Sequence, residues 1–179
     1  MHADVLIVYA SKHGSTEQVA RGIGEKLRGA GLTTQIERAD EVDDLTGFRS
    51  VLVGGSIYMG RWHRDARGFA KHFQDDLRHI PVAVFALGPT DDVPKHRAGS
   101  EKQLREAIRK LQLETLASAV FGGVVDPRKL HFPFNYMEAV DVRDWDEIQA
   151  WANQVAERFL SVPAAVQKTW MDRQVGSPH

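Results

Sequence analysis

Three short stretches of the chain carry residue types at spacings that could do chemistry. The first is Ser11-Lys12-His13-Gly14-Ser15-Thr16, set between an apolar run and a segment of helical period. A helix N-terminus offers unpaired N–H groups and a partial positive charge, so it suits a phosphate. Gly14 lets the backbone approach an anion closely. Ser11, Ser15 and Thr16 add hydroxyl donors, which fits a terminal phosphate monoester. The plainer reading of the same residues is an ordinary N-cap at Ser15 or Thr16. The second stretch, Ser56-Ile57-Tyr58-Met59-Gly60-Arg61-Trp62-His63, holds two aromatics, a thioether, a glycine and two cations. Arg61 and His63 are the candidate catalytic residues. The third, Gly88-Pro89-Thr90-Asp91-Asp92, breaks an apolar run.

Several other chemistries are excluded. The 179 residues carry 23 Lys and Arg against 24 Asp and Glu, a net charge of −1, which argues against a nucleic-acid binder. There is no cysteine, so disulfides, thiolate metal sites and cysteine nucleophiles are ruled out. A cytoplasmic address fits that composition. The histidines have no metal-ligand spacing, and His72 and His79 read as surface residues. Gly22-Ile23-Gly24 falls inside a helical pattern and lacks the third glycine of a dinucleotide fingerprint. Gly55 and Gly60 have P-loop spacing, but Arg61-Trp62 follows where Lys-Ser/Thr is required. A phospho-receiver needs an aspartate where this chain has Gly54-Gly55-Ser56, and no Gly-x-Ser-x-Gly elbow is present. Runs such as Val5 to Ala10 are far shorter than the ~18 residues of a membrane span, and no leader precedes them.

The elements that must position these stretches follow from the hydrophobic pattern. Val5 to Tyr9 is continuously apolar, as in a central parallel strand. Thr16 to Ala30 carries Val19, Ile23 and Leu27 on one helical face, and Gly31 is placed for a left-handed C-cap. Leu32 to Glu37 reads as an edge strand, with a short helical turn around Val42 and Leu45. Val51 to Gly55 is the third strand, and Ala66 to Leu77 the buried face of one helix. Val82 to Leu87 is the fourth strand. Ser100 and Gln103 have capping-box spacing for the next helix. Ala117 to Val125 is the fifth strand, and 126–141 a loop. A last helix from Asp144 should bury Trp145, Ile148, Trp151, Ala152, Val155 and Phe159. Alternating strands and helices predict an α/β doubly wound sheet of five parallel strands, order 2-1-3-4-5, with helices on both faces. Ligands then bind where strands one and three diverge, at their carboxyl ends.

Ile7-Val8-Tyr9-Ala10-Ser11-Lys12-His13-Gly14-Ser15-Thr16, continuing to Ala20, resembles the flavodoxin signature: a strand ending in an aromatic residue, Ser/Thr-x-x-Gly-x-Thr, then a helix. The resemblance implies a flavodoxin-like FMN-binding domain over residues 3–160 and a C-terminal tail over 161–179. It implies that Ser11, Lys12, His13, Gly14, Ser15 and Thr16 cradle the FMN phosphate. Ser56, Ile57, Tyr58, Met59, Gly60 and Trp62 would line the isoalloxazine ring. In that family a glycine peptide turns to accept the N5 hydrogen, a role that maps onto Met59–Gly60. Met59 would pack on one ring face and Trp62 or Tyr58 on the other; the plainer reading has Tyr58 and Trp62 cover the next helix. Leu87, Gly88, Pro89 and Thr90 would touch the ring's outer edge.

Electron-carrier flavodoxins are acidic around the flavin, whereas Lys12, His13, Arg61, His63, Arg64, Lys95, His96 and Arg97 fall at or near this ligand end. Such a group stabilises reduced anionic flavin, or is a solvated rim. Ser56-Ile57-x-x-Gly60-x-Trp62-His63 and Asp144-Trp145-Asp146 are similar to motifs of the flavodoxin-type, quinone-linked protoporphyrinogen IX dehydrogenases. That similarity implies an FMN-dependent oxidoreductase acting on a quinone or porphyrinogen-type substrate. The alternative is an electron carrier that docks on a redox partner protein. The heme-pathway group has a long insertion after strand five that Pro127 to Val140 is too short to match. Phe132, Phe134 and Tyr136 read either as a shortened lid or as core closure.

Overall fold

The computed structural model describes residues 3–163. The main sheet is built from β1 (Val5–Ala10), β2 (Thr34–Arg38), β3 (Ser50–Tyr58), β5 (Val82–Leu87) and β6 (Thr115–Phe121). These five strands are parallel and lie in the order β2-β1-β3-β5-β6. That is the predicted 2-1-3-4-5 order of principal strands. The addition is β4 (Arg61–Trp62), which folds back antiparallel on the end of β3.

Alternate residues of each buried strand feed two cores. Leu6, Val8, Val51, Val53, Val82 and Val84 point toward α2 (Arg64–His72) and α4 (Pro94–Lys110). Val5, Ile7, Leu52, Ala83 and Phe85 point toward α1 (Ser15–Gly29) and α5 (Trp145–Ser161). Helices on both faces explain why the central strands are apolar throughout. Gly54 marks a close crossing inside the second core. A Cβ there would lie 2.1 Å from Phe85 Cζ, so the ring occupies the space a side chain would need.

The helix ends follow their local chemistry. Lys26 and Arg28 occupy the last turn of α1, where the dipole favours cations, and Gly31 at φ +94° follows the helix. The Asp144 carboxylate accepts the N–H groups of Asp146 and Glu147, both at 3.0 Å, and starts α5.

Five expectations need correction. The single helix expected over Ala66 to Leu77 is interrupted at Phe73, which separates α2 from the one-turn α3 (Gln74–Leu77). The capping box at Ser100 does not form, because α4 begins six residues earlier at Pro94, whose fixed φ suits a first helical position. The stretch around Val42 and Leu45 makes turns without helix, although Leu45 is buried. Strand five ends at Phe121. Val124–Val125 (β7) instead pairs antiparallel with Val140–Asp141 (β8), closing the loop between them. Trp145 is 37% exposed and lies against Arg143, its ring centroid 5.2 Å from the guanidinium carbon. The tail expected over 161–179 lies outside the described residues from 164 onward.

Candidate functional site

The carboxyl ends of β1, β3 and β5 bring the three stretches to one edge of the sheet. At the end of β1, Gly14 takes φ +87° and immediately precedes α1. The Ser11 hydroxyl accepts the Gly14 N–H at 2.8 Å, and the Gly14 carbonyl accepts the first helical bond from Gln18 at 3.1 Å. Neither Ser15 nor Thr16 is the N-cap, so the plainer reading of their hydroxyls does not hold. Thr16 is fully buried, and its Oγ1 has no hydrogen-bond partner. A buried hydroxyl left unpaired is costly, and this one stands at a helix start, where N–H groups also lack partners.

Cations converge on this turn. Burial lowers the His13 pKa below the ordinary imidazole value, and Lys12, Lys129 and His131 lower it further. Lys129 arrives from the excursion after β6, and its Nζ donates to the His13 carbonyl at 2.7 Å. Only 3.6 Å separates that nitrogen from where a Cβ on Gly14 would stand. Sequence reading missed Lys129 as a site residue, since no local spacing relates it to a loop 116 positions away. A left-handed glycine, an unpaired buried hydroxyl, a helix N-terminus and this positive surround fit a phosphate monoester.

The second stretch is a hairpin rather than a loop. Met59 and Gly60 both have positive φ, 47° and 76°, the pattern of a two-residue type I′ turn. Pairing puts Ile57 opposite Trp62 and Tyr58 opposite Arg61. Tyr58 and Met59 are 75% and 84% exposed and available to a flat ligand. Trp62 is not: it is 1% exposed, and its indole Nε1 donates to the Gly55 carbonyl at 3.2 Å. Of the two aromatics proposed for the second ring wall, the geometry leaves Tyr58. Ser56 and Ile57 are half-buried beneath the turn.

The two catalytic candidates differ in position. Arg61 is exposed beside the turn. His63 caps α2, its Nδ1 accepting the Asp65 N–H at 3.2 Å. Burial lowers the His63 pKa, Asp65 pulls it back up, and Arg67 lowers it. A neutral Nδ1 acceptor is what the cap requires.

In the third stretch, Leu87 is buried in the α1–α5 core, so its side chain does not reach a ligand. Gly88 N–H donates to the Phe121 carbonyl at 2.8 Å, and the Pro89 carbonyl accepts from Gly123 at 2.7 Å. These bonds tie the loop to the end of β6, with Thr90 exposed at its tip. Of the predicted basic group, His96 pairs locally with the exposed Asp91 at 2.8 Å, while Arg97 pairs with Glu147 and donates to the Val120 carbonyl, tying α4 to α5 and β6. Phe132 and Tyr136 are 78% and 79% exposed and meet edge to face at 6.2 Å. Core closure is therefore not their role; the Phe134 side chain lies outside what is described. No group of three metal-ligating side chains exists among the described residues, and no helix there is long and apolar enough to cross a membrane.

Comparison with known proteins agrees with this arrangement. A family model described as a flavodoxin domain matches residues 6–137. The protoporphyrinogen IX dehydrogenase [quinone] of Escherichia coli K12 is 18% identical over 169 residues, covering 84% of this chain and 93% of that protein. Among solved structures, the two-electron reduced Megasphaera elsdenii flavodoxin is similar at TM-score 0.60 and 16% identity, covering 86% of this chain and 98% of its own. A Streptococcus pneumonia TIGR4 flavodoxin gives TM-score 0.59 at 21% identity, covering 88% and 97%.

Proposed function

The chain belongs to the flavodoxin domain family, and from that premise we propose that it is an FMN-dependent oxidoreductase that passes electrons to or from a quinone or porphyrinogen-type small molecule. The observation that carries the cofactor is the unpaired, fully buried Thr16 hydroxyl beside left-handed Gly14. Bound FMN supplies reversible uptake of one or two electrons. The residues of the chain bind and orient it. Ser11, Lys12, His13, Gly14, Ser15 and Thr16 hold the phosphate, with Lys129 added from the excursion. Tyr58, Met59 and Gly60 line the ring, with Ser56 and Ile57 under them, and Gly88, Pro89 and Thr90 bound its outer edge. Arg61 places a positive charge beside the ring, which favours reduced, anionic flavin.

Support for an enzyme comes from the sign of the charges near the site: Lys12, Arg61 and Lys129 surround a place where electron carriers of this family are acidic. The second reading, a carrier docking on a protein, is favoured by the open exposure of Tyr58 and Met59. The visible spectrum of the purified protein, with its pigment identified by mass, tests the cofactor. A colourless protein that gains no absorbance with added FMN refutes it. Stopped-flow reoxidation then separates the readings. Fast reoxidation by quinones is the expected result, and slow reoxidation with two well-separated one-electron steps in a potentiometric titration would favour the carrier.

A further inference from the structure

A groove of ≈ 410 Å³ runs between α2 and α4 from the β3–β4 turn. Its lining is strongly basic: Arg61 at the turn, Arg64, Arg67 and Lys71 along α2, and Lys110 on α4, with Glu106 the opposing acid. Residues 64, 67, 68 and 71 share one helical face by their spacing. Ala107 and Leu111 give the groove an apolar floor.

Two features of the groove bear on what could bind there. The first is pairing. Several arginines elsewhere are neutralised locally, Arg21 by Glu17, Arg38 by Asp40, Arg78 by Asp75, Arg128 by Asp126 and Arg143 by Asp141, while Arg28 and Arg158 donate to Thr34 and to the Leu116 carbonyl instead. Among the described residues, none of Arg61, Arg64, Lys71 and Lys110 has such a partner. Arg67 is held at the head of the groove, its Nε donating to the Trp62 carbonyl at 2.9 Å. The second is Gly68. It lies within α2 without a positive φ, and a Cβ there would meet nothing within 4 Å. The helix gains nothing from a glycine, which costs about 1 kcal/mol against alanine. What the glycine keeps is open space on the face that lines the groove.

We infer that this groove binds a small organic polyanion, a molecule with two or more carboxylate or phosphate groups on a short apolar body. Its volume lies in the range of small-molecule pockets, about 300–1,000 Å³. The unpaired Arg64 and Lys71 along a helix of about 13 Å, with Arg61 and Lys110 beside it, suit anionic groups spaced along one ligand. The groove opens at Gly60 and Arg61, so an occupant would lie beside the turn assigned to the flavin ring. That neighbourhood rests on the flavin reading; binding in the groove does not.

The test is a titration of the FMN-loaded protein with citrate, and with acetate at matched ionic strength, followed by backbone amide NMR shifts. Citrate should saturate, with shifts concentrated in 64–71 and 103–111, while acetate gives only a weak linear response. The double variant Arg64→Gln/Lys71→Gln should weaken citrate at least about tenfold. Gly68→Leu should weaken it similarly by filling the groove in open space. Lys102→Gln, on α4 outside the lining, should change it less than about twofold. The inference is overturned if citrate behaves like acetate, if Lys102→Gln costs as much as the double variant, or if the shifts centre on 11–16. FMN content is read separately by visible absorption. A protein that takes up no FMN defeats the flavin reading, and the same titration still decides the groove.

Discussion

Thr16 separates stability from binding. Its hydroxyl is buried without a partner, so Thr16→Val, which keeps the shape and removes the polar atom, should stabilise the FMN-free protein by about 1 to 2 kcal/mol. The same change should weaken FMN about tenfold while leaving riboflavin nearly untouched, since only FMN carries the phosphate. Denaturant melts of the free protein and flavin fluorescence titrations check the two signs. Equal losses for both flavins would remove the phosphate assignment. This residue was legible in the sequence because hydroxyls, glycine and helix start are neighbours along the chain. Lys129 was not, because its contact with His13 is created only when the excursion after β6 folds over the turn. Trp62 was misread as a ring wall for a related reason. A stretch taken as a loop is a hairpin, and its alternation turns Trp62 inward with Ile57.

At the scale of elements, the turn and the cap each make a prediction. Gly60 has φ +76°, and a Cβ there would make only ordinary contact with the Gln103 side chain at 3.5 Å, so Gly60→Ala should cost about 1–2 kcal/mol from backbone strain alone. Chemical denaturation measures that cost, and an unchanged midpoint would mean the turn adopts another form. The α2 cap depends on a neutral His63. Its folded-state pKa lies below the unfolded value of about 6.5, so the unfolded chain binds the proton more readily. Stability is therefore fully present above that value and falls as pH drops through it toward the folded-state pKa. His13 is shifted in the same direction and adds to the loss. His63→Asn keeps a good capping side chain and should flatten part of the decline between pH 7 and 5 in thermal melts. The principal strands were legible from their unbroken apolar runs. The true start of α4 was not, because Pro94 stands among polar residues and Ser100 offers a competing cap pattern.

At the scale of the whole molecule, a net charge of −1 conceals an uneven distribution. Arg61 and the α2 row form a basic side, while many other cations are paired in place. Arg61→Glu should move the flavin midpoint to more negative potential. In water-like surroundings a two-unit charge change within about 10 Å of a redox centre is worth on the order of 1 kcal/mol. Spectroelectrochemistry reads the shift, and an unchanged potential would mean Arg61 points away from the ring. The fold itself was the most legible level, since alternating strands and helices leave few connected arrangements. The crossing of Gly54 and Phe85 carries an evolutionary corollary. A methyl at one position excludes the ring at the other, so neither site is free to drift alone. Chains of this lineage that acquire a side chain at position 54 should have first traded the aromatic at 85 for something smaller, leaving a paired change that a collection of relatives would reveal.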